Sequence, residues 1–232
     1  MKNTFALVAA GGSGTRMGAD VPKQFLKING IEMIEWSVRK MALTDRFDSI
    51  IVCVPEEWTE HTKELFSDLS NIEVISGGND RTETIDKGLA YIKEMHGINK
   101  DTVVLTHDAA RPCVTDEMII KCIESITDKT PCSTVAMKAV DSYALSSSGE
   151  LVDGYQDREL LYHIQTPQTF SAEKYILLRK KAPDEEYTEA TRIFKDGGYG
   201  VAIIPGSKKN LKVTGKEDIE IVSMFLSEKR FE

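Results

Sequence analysis

Excess positive charge is missing from this 232-residue chain: 29 lysines and arginines face 37 aspartates and glutamates, for a net charge of −8. That balance argues against a general nucleic-acid binder, whose surface is usually basic; cations for an anionic ligand must be gathered locally. Cysteine is scarce too. The four present, Cys53, Cys113, Cys122 and Cys132, show no C-x-x-C spacing and sit in or beside apolar segments, so they read as buried, reduced thiols. Long apolar runs are absent. No stretch approaches the roughly 18 residues of a membrane span, and no membrane association is expected. Lys2 followed by apolar residues and Ala9-Ala10 imitates a signal peptide, but the run falls short of the roughly 7–15 residues of an apolar h-region. A cytoplasmic location is the expectation. With 41% apolar and 28% charged residues, no internal repeat and no linker, residues 1–232 read as a single domain.

What is present is concentrated at the start. The apolar run Phe5 to Ala10 empties into Gly11-Gly12-Ser13-Gly14-Thr15-Arg16-Met17-Gly18, followed by Pro22-Lys23-Gln24. Glycines let backbone amides approach a ligand closely, and amides with nearby cations favour a polyphosphate.

Downstream, strand-like and helix-like runs alternate. A helix is expected from about Glu32 to Leu43, a buried strand at Ser49–Val54, and a helix opening at Pro55-Glu56-Glu57-Trp58 and reaching about Leu69. Asn71–Ser76 reads as a short strand ending in Gly77-Gly78. Thr82 can cap a helix to about Met95 with Ile85, Leu89 and Ile92 on one face; Thr102–Thr106 is a buried strand, and Thr115 opens a helix to Ile126. Such alternation predicts a mostly parallel sheet covered by helices on both faces. The loops after Ala10, Ser76 and Thr106 all leave carboxyl ends of strands, where ligands bind in such sheets.

The pattern breaks at Ser133–Val140. The stretch Ala144 to Gln156, with Ser146-Ser147-Ser148-Gly149 as a turn, reads as a hairpin arm. A lone hairpin is marginal in water, so this one is expected to pack either onto its own domain or, the preferred reading, around a partner subunit. Helices at Ser171–Lys181 and Thr188–Asp196, a last central strand at Val201–Ile204, an extended piece at Asn210–Val213 and a helix at Lys216–Ser227 complete the chain.

Two familiar phosphate loops fail to match. The dinucleotide fingerprint G-x-G-x-x-G needs glycine where Met17 stands, and the only Gly-Lys pair, Gly215-Lys216, is followed by Glu217 rather than Ser or Thr. The full string A-G-G-x-G-T-R-M-G with P-K-Q instead resembles the signature of nucleotidyltransferases that activate sugar or polyol phosphates. His107-Asp108-Ala109-Ala110-Arg111-Pro112 narrows the resemblance to the polyol-phosphate cytidylyltransferases, which make CDP-methylerythritol or CDP-ribitol. The likeness extends over G-G-x-x-R-x-x-[ST] at Gly77 to Thr84, Asp157-Arg158, Gln165 to Gln168, and N-[IL]-K-[VIL]-T at Asn210 to Thr214.

The resemblance implies a three-layer, Rossmann-like α/β nucleotidyltransferase fold with a mostly parallel central sheet and a protruding β-hairpin arm at 141–158. The implied reaction is attack by a polyol phosphate on the α-phosphorus of CTP with release of pyrophosphate. Ala10, Gly11, Gly12 and Gly14 then match triphosphate-holding positions, with Arg16 and Lys23 as catalytic cations. Gly78, Arg81, Thr84, Ala109 and Ala110 match positions around cytosine and ribose. Asp108 matches a carboxylate near ribose and Mg²⁺, and Lys212 matches a lysine at the α-phosphate. Asp141, Arg111, Arg158 and Thr166 match the substrate side, with Arg158 supplied by the neighbouring subunit of a homodimer.

The phosphomonoester nucleophile is already anionic near neutral pH, since its second pKa is about 6, so no general base is required. That suits a sequence without a Ser-His-Asp arrangement. His107, His61, His96 and His163 accordingly read as structural, and Trp36 and Trp58 as core. Plainer roles stand beside the functional ones: a solvated Arg158 on a polar arm, Lys212 in a solvated cluster with Lys208 and Lys209, Asp108 as a helix cap. A redox enzyme holding NAD on the opening loop and a catalytically silent relative are the competing readings.

The acceptor is where the strings conflict. The isoprenoid enzymes usually read D-T-[IM]-K at the base of the arm, where this chain has Asp141-Ser142-Tyr143-Ala144; Glu189 stands where the family usually has aspartate. Arg46-Phe47-Asp48, Glu57-Trp58 and Ala90–Asn99 look more like the ribitol enzymes, which instead usually read H-D-S-V-R-P. The balance leans to a pentitol phosphate and leaves methylerythritol phosphate open.

Overall fold

The computed structural model describes residues 3–11, 21–183 and 185–226. In β1 (Thr4–Ala9), Phe5 and Leu7 enter one buried cluster while Ala6 and Val8 enter another, on the opposite face. A strand apolar on both faces has to be covered on both. A 3₁₀ turn (Lys23–Phe25) and a small hairpin, β2 (Lys27–Ile28) with β3 (Ile31–Glu32), lead into α1 (Met33–Leu43). The Glu32 amide donates to Glu35 Oε1 at 3.1 Å and starts that helix; Ile34, Val38 and Met41 carry its buried stripe.

β4 (Ser49–Val54) is buried throughout and repeats the alternation, with Ile50, Val52 and Val54 against Ile51 and Cys53. After it come a 3₁₀ turn (Glu56–Trp58), α2 (Thr59–Leu65) and β5 (Ile72–Ser76). α3 (Arg81–Met95) is capped by Asp80, whose side chain accepts from the Glu83 amide at 2.8 Å. Thr82, expected to be that cap, is instead buried and joined to the Tyr187 backbone through its hydroxyl. Asp80 wins the end because its oxygen reaches the amide three residues on.

β6 (Val103–Asp108) precedes α4 (Asp116–Glu124), where Thr115 is the cap as its position predicts. β7 (Cys132–Lys138) is followed by the arm, β8 (Tyr143–Leu145) paired with β9 (Gly154–Gln156). Next is β10 (Tyr162–Ser171), a ten-residue strand that the sequence pattern concealed. Its middle, Gln165-Thr166-Pro167-Gln168, is polar and holds a proline. The ladder to β7 shifts register between Ile164 and Gln168, so the proline sits at an irregularity where its missing N–H is tolerated. α5 (Ala172–Arg179), the short α6 (Arg192–Asp196), β11 (Ala202–Pro205) and α7 (Lys216–Phe225) finish the chain.

The central sheet has seven strands in the order β11-β7-β10-β6-β1-β4-β5. All neighbours run parallel except β10, which is antiparallel to both β6 and β7. β11, read from sequence as a central strand, is an edge, paired only with β7, and Ile203 on it is half exposed. α1, α2 and α4 supply the apolar cover on one face, and α3, α5 and α6 on the other. This is the three-layer α/β arrangement that the alternation predicts.

A third, smaller cluster joins Ile28, Met33, Trp36, Ala110, Val213 and Val222, so α7 and the loop after β6 are pinned to the same spot. Trp36 is core, and Trp58 stacks on Phe25 at 4.3 Å. All four cysteines are free thiols, and burial pushes Cys53 up to about 12 and Cys113 to about 11. Among the described residues no helix is long and apolar enough to cross a membrane.

Candidate active site

The three loops that the sequence placed at strand ends do converge. Ala9 at the end of β1 and Gly11 after it, Gly78 to Arg81 and Thr84 after β5, and Asp108 and Ala110 at the end of β6 line one cleft with Lys23 and Lys212. Gly12, Gly14 and Arg16 lie outside the described residues. Lys23 is set by its neighbours: Gln24 donates through Nε2 to the Ala10 carbonyl, Phe25 is buried, and the Lys23 ammonium donates to Val213 O at 3.2 Å.

The loop before α3 is tied from within. Thr84 Oγ1 accepts from the Gly78 amide at 3.0 Å and donates to Asp80 O at 2.7 Å. Gly78 lies so close to Glu83 that a Cβ there would stand 2.5 Å from the Glu83 Cβ. Only glycine lets the turn approach the helix this closely. Thr84 therefore shapes this wall.

Asp108 is the electrostatic centre. Its side chain is 9% exposed and meets Arg81 Nη1 on Oδ1, with Lys212 Nζ at 2.9 Å and Arg111 Nε at 3.7 Å from Oδ2. Burial by itself would raise this carboxyl, and Arg81, Lys212 and Arg111 together outweigh it, holding the group well below the ordinary carboxylate range. It is ionised at any physiological pH. The Arg81 guanidinium keeps two buried nitrogens, Nε and Nη2, without a hydrogen-bond partner among the described residues. Those are donors a ligand can satisfy.

Beneath Asp108 runs a chain of three groups. His107 Nε2 lies 3.1 Å from Arg111 O, and a carbonyl can only accept, so that nitrogen carries the proton. His107 Nδ1 is then an acceptor, and the Thr166 hydroxyl donates to it at 3.0 Å. The Thr166 oxygen in turn accepts from the Asp108 amide at 3.1 Å. Burial lowers the imidazole to about 4, so it stays neutral. His107 is structural, as read, and it orients the loop that presents Asp108.

Ala109 and Ala110 are buried; Ala110 belongs to the third cluster, and its carbonyl accepts from the Val213 amide at 2.8 Å. Arg111 is turned inward, donating to Asn210 O at 2.9 Å. Thr166 is buried as well. Asp141 and Arg158 stand apart from these. Both are exposed at the foot of the arm, where Arg158 Nη1 donates to Val140 O at 3.4 Å, and neither lines the cleft.

Sequence reasoning gave no role to Gln165, Gln168 or Asn210, all buried. Gln168 Nε2 donates to Glu189, and its Oε1 accepts from the Ala190 amide at 2.9 Å. Isolated amides carry no periodicity; the recurring strings in which they sit were their only signal.

A cleft with cations gathered around the ionised Asp108, at the carboxyl edge of a mostly parallel sheet, suits a nucleoside triphosphate. Comparison with known proteins agrees. The family model for 2-C-methyl-D-erythritol 4-phosphate cytidylyltransferase matches residues 4–228. The chain belongs to this cytidylyltransferase family. It is a CTP-dependent nucleotidyltransferase that transfers a cytidylyl group to a polyol phosphate. Among solved structures, the 2-C-methyl-D-erythritol 4-phosphate cytidylyltransferase of Francisella tularensis is 26% identical, with a TM-score of 0.79 over 97% of this chain and all of the other. A 4-diphosphocytidyl-2C-methyl-D-erythritol synthase structure is also 26% identical, with a TM-score of 0.82 over 97% of this chain and 100% of its own. The corresponding synthase of Anaerococcus prevotii DSM 20548, at 24% identity and a TM-score of 0.81 over 97% and 99% of the two chains, shares the fold. Membership in the cytidylyltransferase family displaces the nicotinamide reading of the opening loop.

Proposed function

We propose that this cytidylyltransferase acts on 2-C-methyl-D-erythritol 4-phosphate, in a cleft where Lys23, Arg81 and Lys212 surround the ionised Asp108. A phosphate oxygen of the acceptor forms a bond to the α-phosphorus of CTP as the bond to the bridging oxygen breaks, and pyrophosphate leaves with that electron pair. The acceptor supplies its own anion, and no side chain has to remove a proton. The protein's task is to hold two anions together and stabilise charge on the phosphorus and the leaving group.

In this reading Lys23 and Arg16 serve the triphosphate and Lys212 the α-phosphate. The unpartnered Arg81 nitrogens, with Gly78 and Ala110, meet the nucleoside. Mg²⁺ would be held by the Asp108 carboxylate, a hard oxygen donor at the centre of the cleft, together with oxygens of the triphosphate. When bound, the ion would neutralise phosphate charge. Asp141, Arg111, Thr166 and Arg158 are assigned to the acceptor, the last across a homodimer made by the arm. The exposed Leu151, Val152, Tyr155 and Leu160 on and beside the hairpin support that dimer, because apolar groups presented this way call for a partner surface. One domain in the cytoplasm completes the reading.

The observation that carries the acceptor is the match of residues 4–228 to the methylerythritol phosphate enzymes, together with the Ala109–Ala110 pair. Ribitol 5-phosphate is the second reading, favoured by the base of the arm, where Asp141-Ser142-Tyr143-Ala144 departs from the D-T-[IM]-K of the isoprenoid enzymes, and by Arg46-Phe47-Asp48 and Glu57-Trp58. A pyrophosphate-release assay with CTP, Mg²⁺ and each acceptor side by side tests both. Release with methylerythritol phosphate alone supports the proposal. Release with ribitol phosphate alone exchanges the two readings, and CTP binding without release from either would mark a silent relative.

A further inference from the structure

Beyond Pro205 the chain runs without helix or strand until Lys216, yet this segment delivers Lys212 to Asp108. Its backbone position is fixed by two buried side-chain amides. Gln165 Nε2 donates to Ser207 O at 2.9 Å, and its Oε1 accepts from the Ser207 amide at 3.3 Å. This two-point contact ties the segment to β10, whereas β11 itself pairs with β7. Asn210 Nδ2 donates to Thr166 O at 2.8 Å and to Gln165 Oε1 at 3.3 Å. Gly206 completes the joint, since a Cβ there would lie 2.5 Å from Gln165 Oε1 and 3.2 Å from the Ala136 backbone.

Two further bonds hold the following residues. Arg111 Nη1 donates to Asn210 O at 2.9 Å, and the fully buried Val213 donates its amide to Ala110 O at 2.8 Å. Between these anchors lies Lys212, whose side chain is 44% exposed. A lysine so accessible carries about 2 kcal/mol of rotamer entropy, and its ion pair with Asp108 can form only where the backbone places it within reach.

We propose that Gln165 and Asn210 are positioning residues that act through Lys212: their paired amides clamp residues 206–213 to β10 and so hold the Lys212 ammonium at the transferring phosphate. The proposal rests on the reading of Lys212 given above. An amide that only supports the fold would lower stability without singling out Lys212.

Two measurements separate these roles. In steady-state pyrophosphate release, Asn210→Ala is expected to lower kcat about tenfold to a hundredfold with little change in KM for CTP. Added to Lys212→Ala, the same substitution should cost less than about twofold more, because residues acting as one unit are not additive. Gln165→Met, which enters from the strand side and keeps the volume, should reproduce both results if Asn210→Ala folds poorly. Amide hydrogen exchange in the free protein gives the second readout: the Val213 amide should exchange at least about tenfold faster in Asn210→Ala, with the amides of β1 unchanged. Multiplying losses in the double variant, or unaltered Val213 exchange, overturns the proposal. If Lys212→Ala alone keeps full turnover, the role given to Lys212 fails and the action through it falls too; faster Val213 exchange then supports the clamp alone.

Discussion

The floor of the cleft and the arm are built on opposite principles. On the floor, polar side chains are buried and bonded to one another: His107 with Thr166 and Arg111, Gln165 with Ser207, Asn210 with Thr166. On and beside the arm, apolar groups are exposed, with Tyr155 at 77% and Leu160 at 78%, and the two strands of the hairpin are three residues each. A buried polar network defines one geometry because each broken bond leaves an unsatisfied group. A short hairpin with bare apolar side chains defines little by itself. On the reading proposed above, the nucleotide half lies within one chain, and the acceptor half draws Arg158 from a second copy.

The largest expected effect probes the nucleotide half. Lys23→Ala, Lys212→Ala and Arg16→Ala should each lower turnover by about a hundredfold or more while the fold persists, since each removes a cation from the reacting phosphates. Pyrophosphate release with circular dichroism of the same samples decides it; undiminished turnover in the Lys23 variant would sink the assignment.

Acid should sharpen the contrast next. His107 is neutral in the fold, with its pKa lowered from 6.5 to about 4, chiefly by burial. Below pH 6.5 the unfolded chain takes up a proton that the folded chain refuses, so stability is full above 6.5 and falls as the pH drops towards 4. At about 1.4 kcal/mol per unit this one group removes on the order of 3 kcal/mol. Asp108, depressed in the fold, has the same sign further down: its contribution is present above the unfolded value and lost as pH falls through the folded one. Urea unfolding between pH 4 and 7 should show the slope, and His107→Asn should flatten it. An equal slope in that variant would refute the account.

The smallest effect on stability belongs to the arm. Tyr155→Asp should change the stability of the monomer by no more than about 0.5 kcal/mol, because the side chain is already in water. Sedimentation should nevertheless move from dimer to monomer, with turnover falling alongside. Mixing Arg158→Ala with Lys23→Ala chains should restore part of the activity of either. A fully active monomer would break the comparison.

What was legible in the sequence follows the same division. Apolar runs ending in glycine-rich or charged loops marked the strand ends, and those loops meet in one cleft. The Ser-Gly-Asp stretch marked the arm. β10 was hidden because its buried middle is polar and holds Pro167, so neither alternation nor an apolar run betrays it. The Gln165–Asn210 pair was hidden for a related reason: two amides 45 residues apart acquire meaning only once β10 brings them together. The edge position of β11 depends on which strand pairs with which, and local pattern does not encode that.

β10 has one more consequence. Because it runs against its neighbours, the chain enters it at Tyr162, beside the arm, and passes Thr166 four residues later. At roughly 3.4 Å per residue the foot of the arm lies about 14 Å from that threonine along a single strand. The strand works as a ruler between the arm and Thr166, the residue proposed to meet the acceptor. The arm can be lengthened, re-faced or given a different partner surface while Asp108, Lys212 and the nucleotide loops stay where they are. If the proposed acceptor residues hold, the string from Asp141 to Ala144 sits at the end of the ruler where a change of polyol would be written.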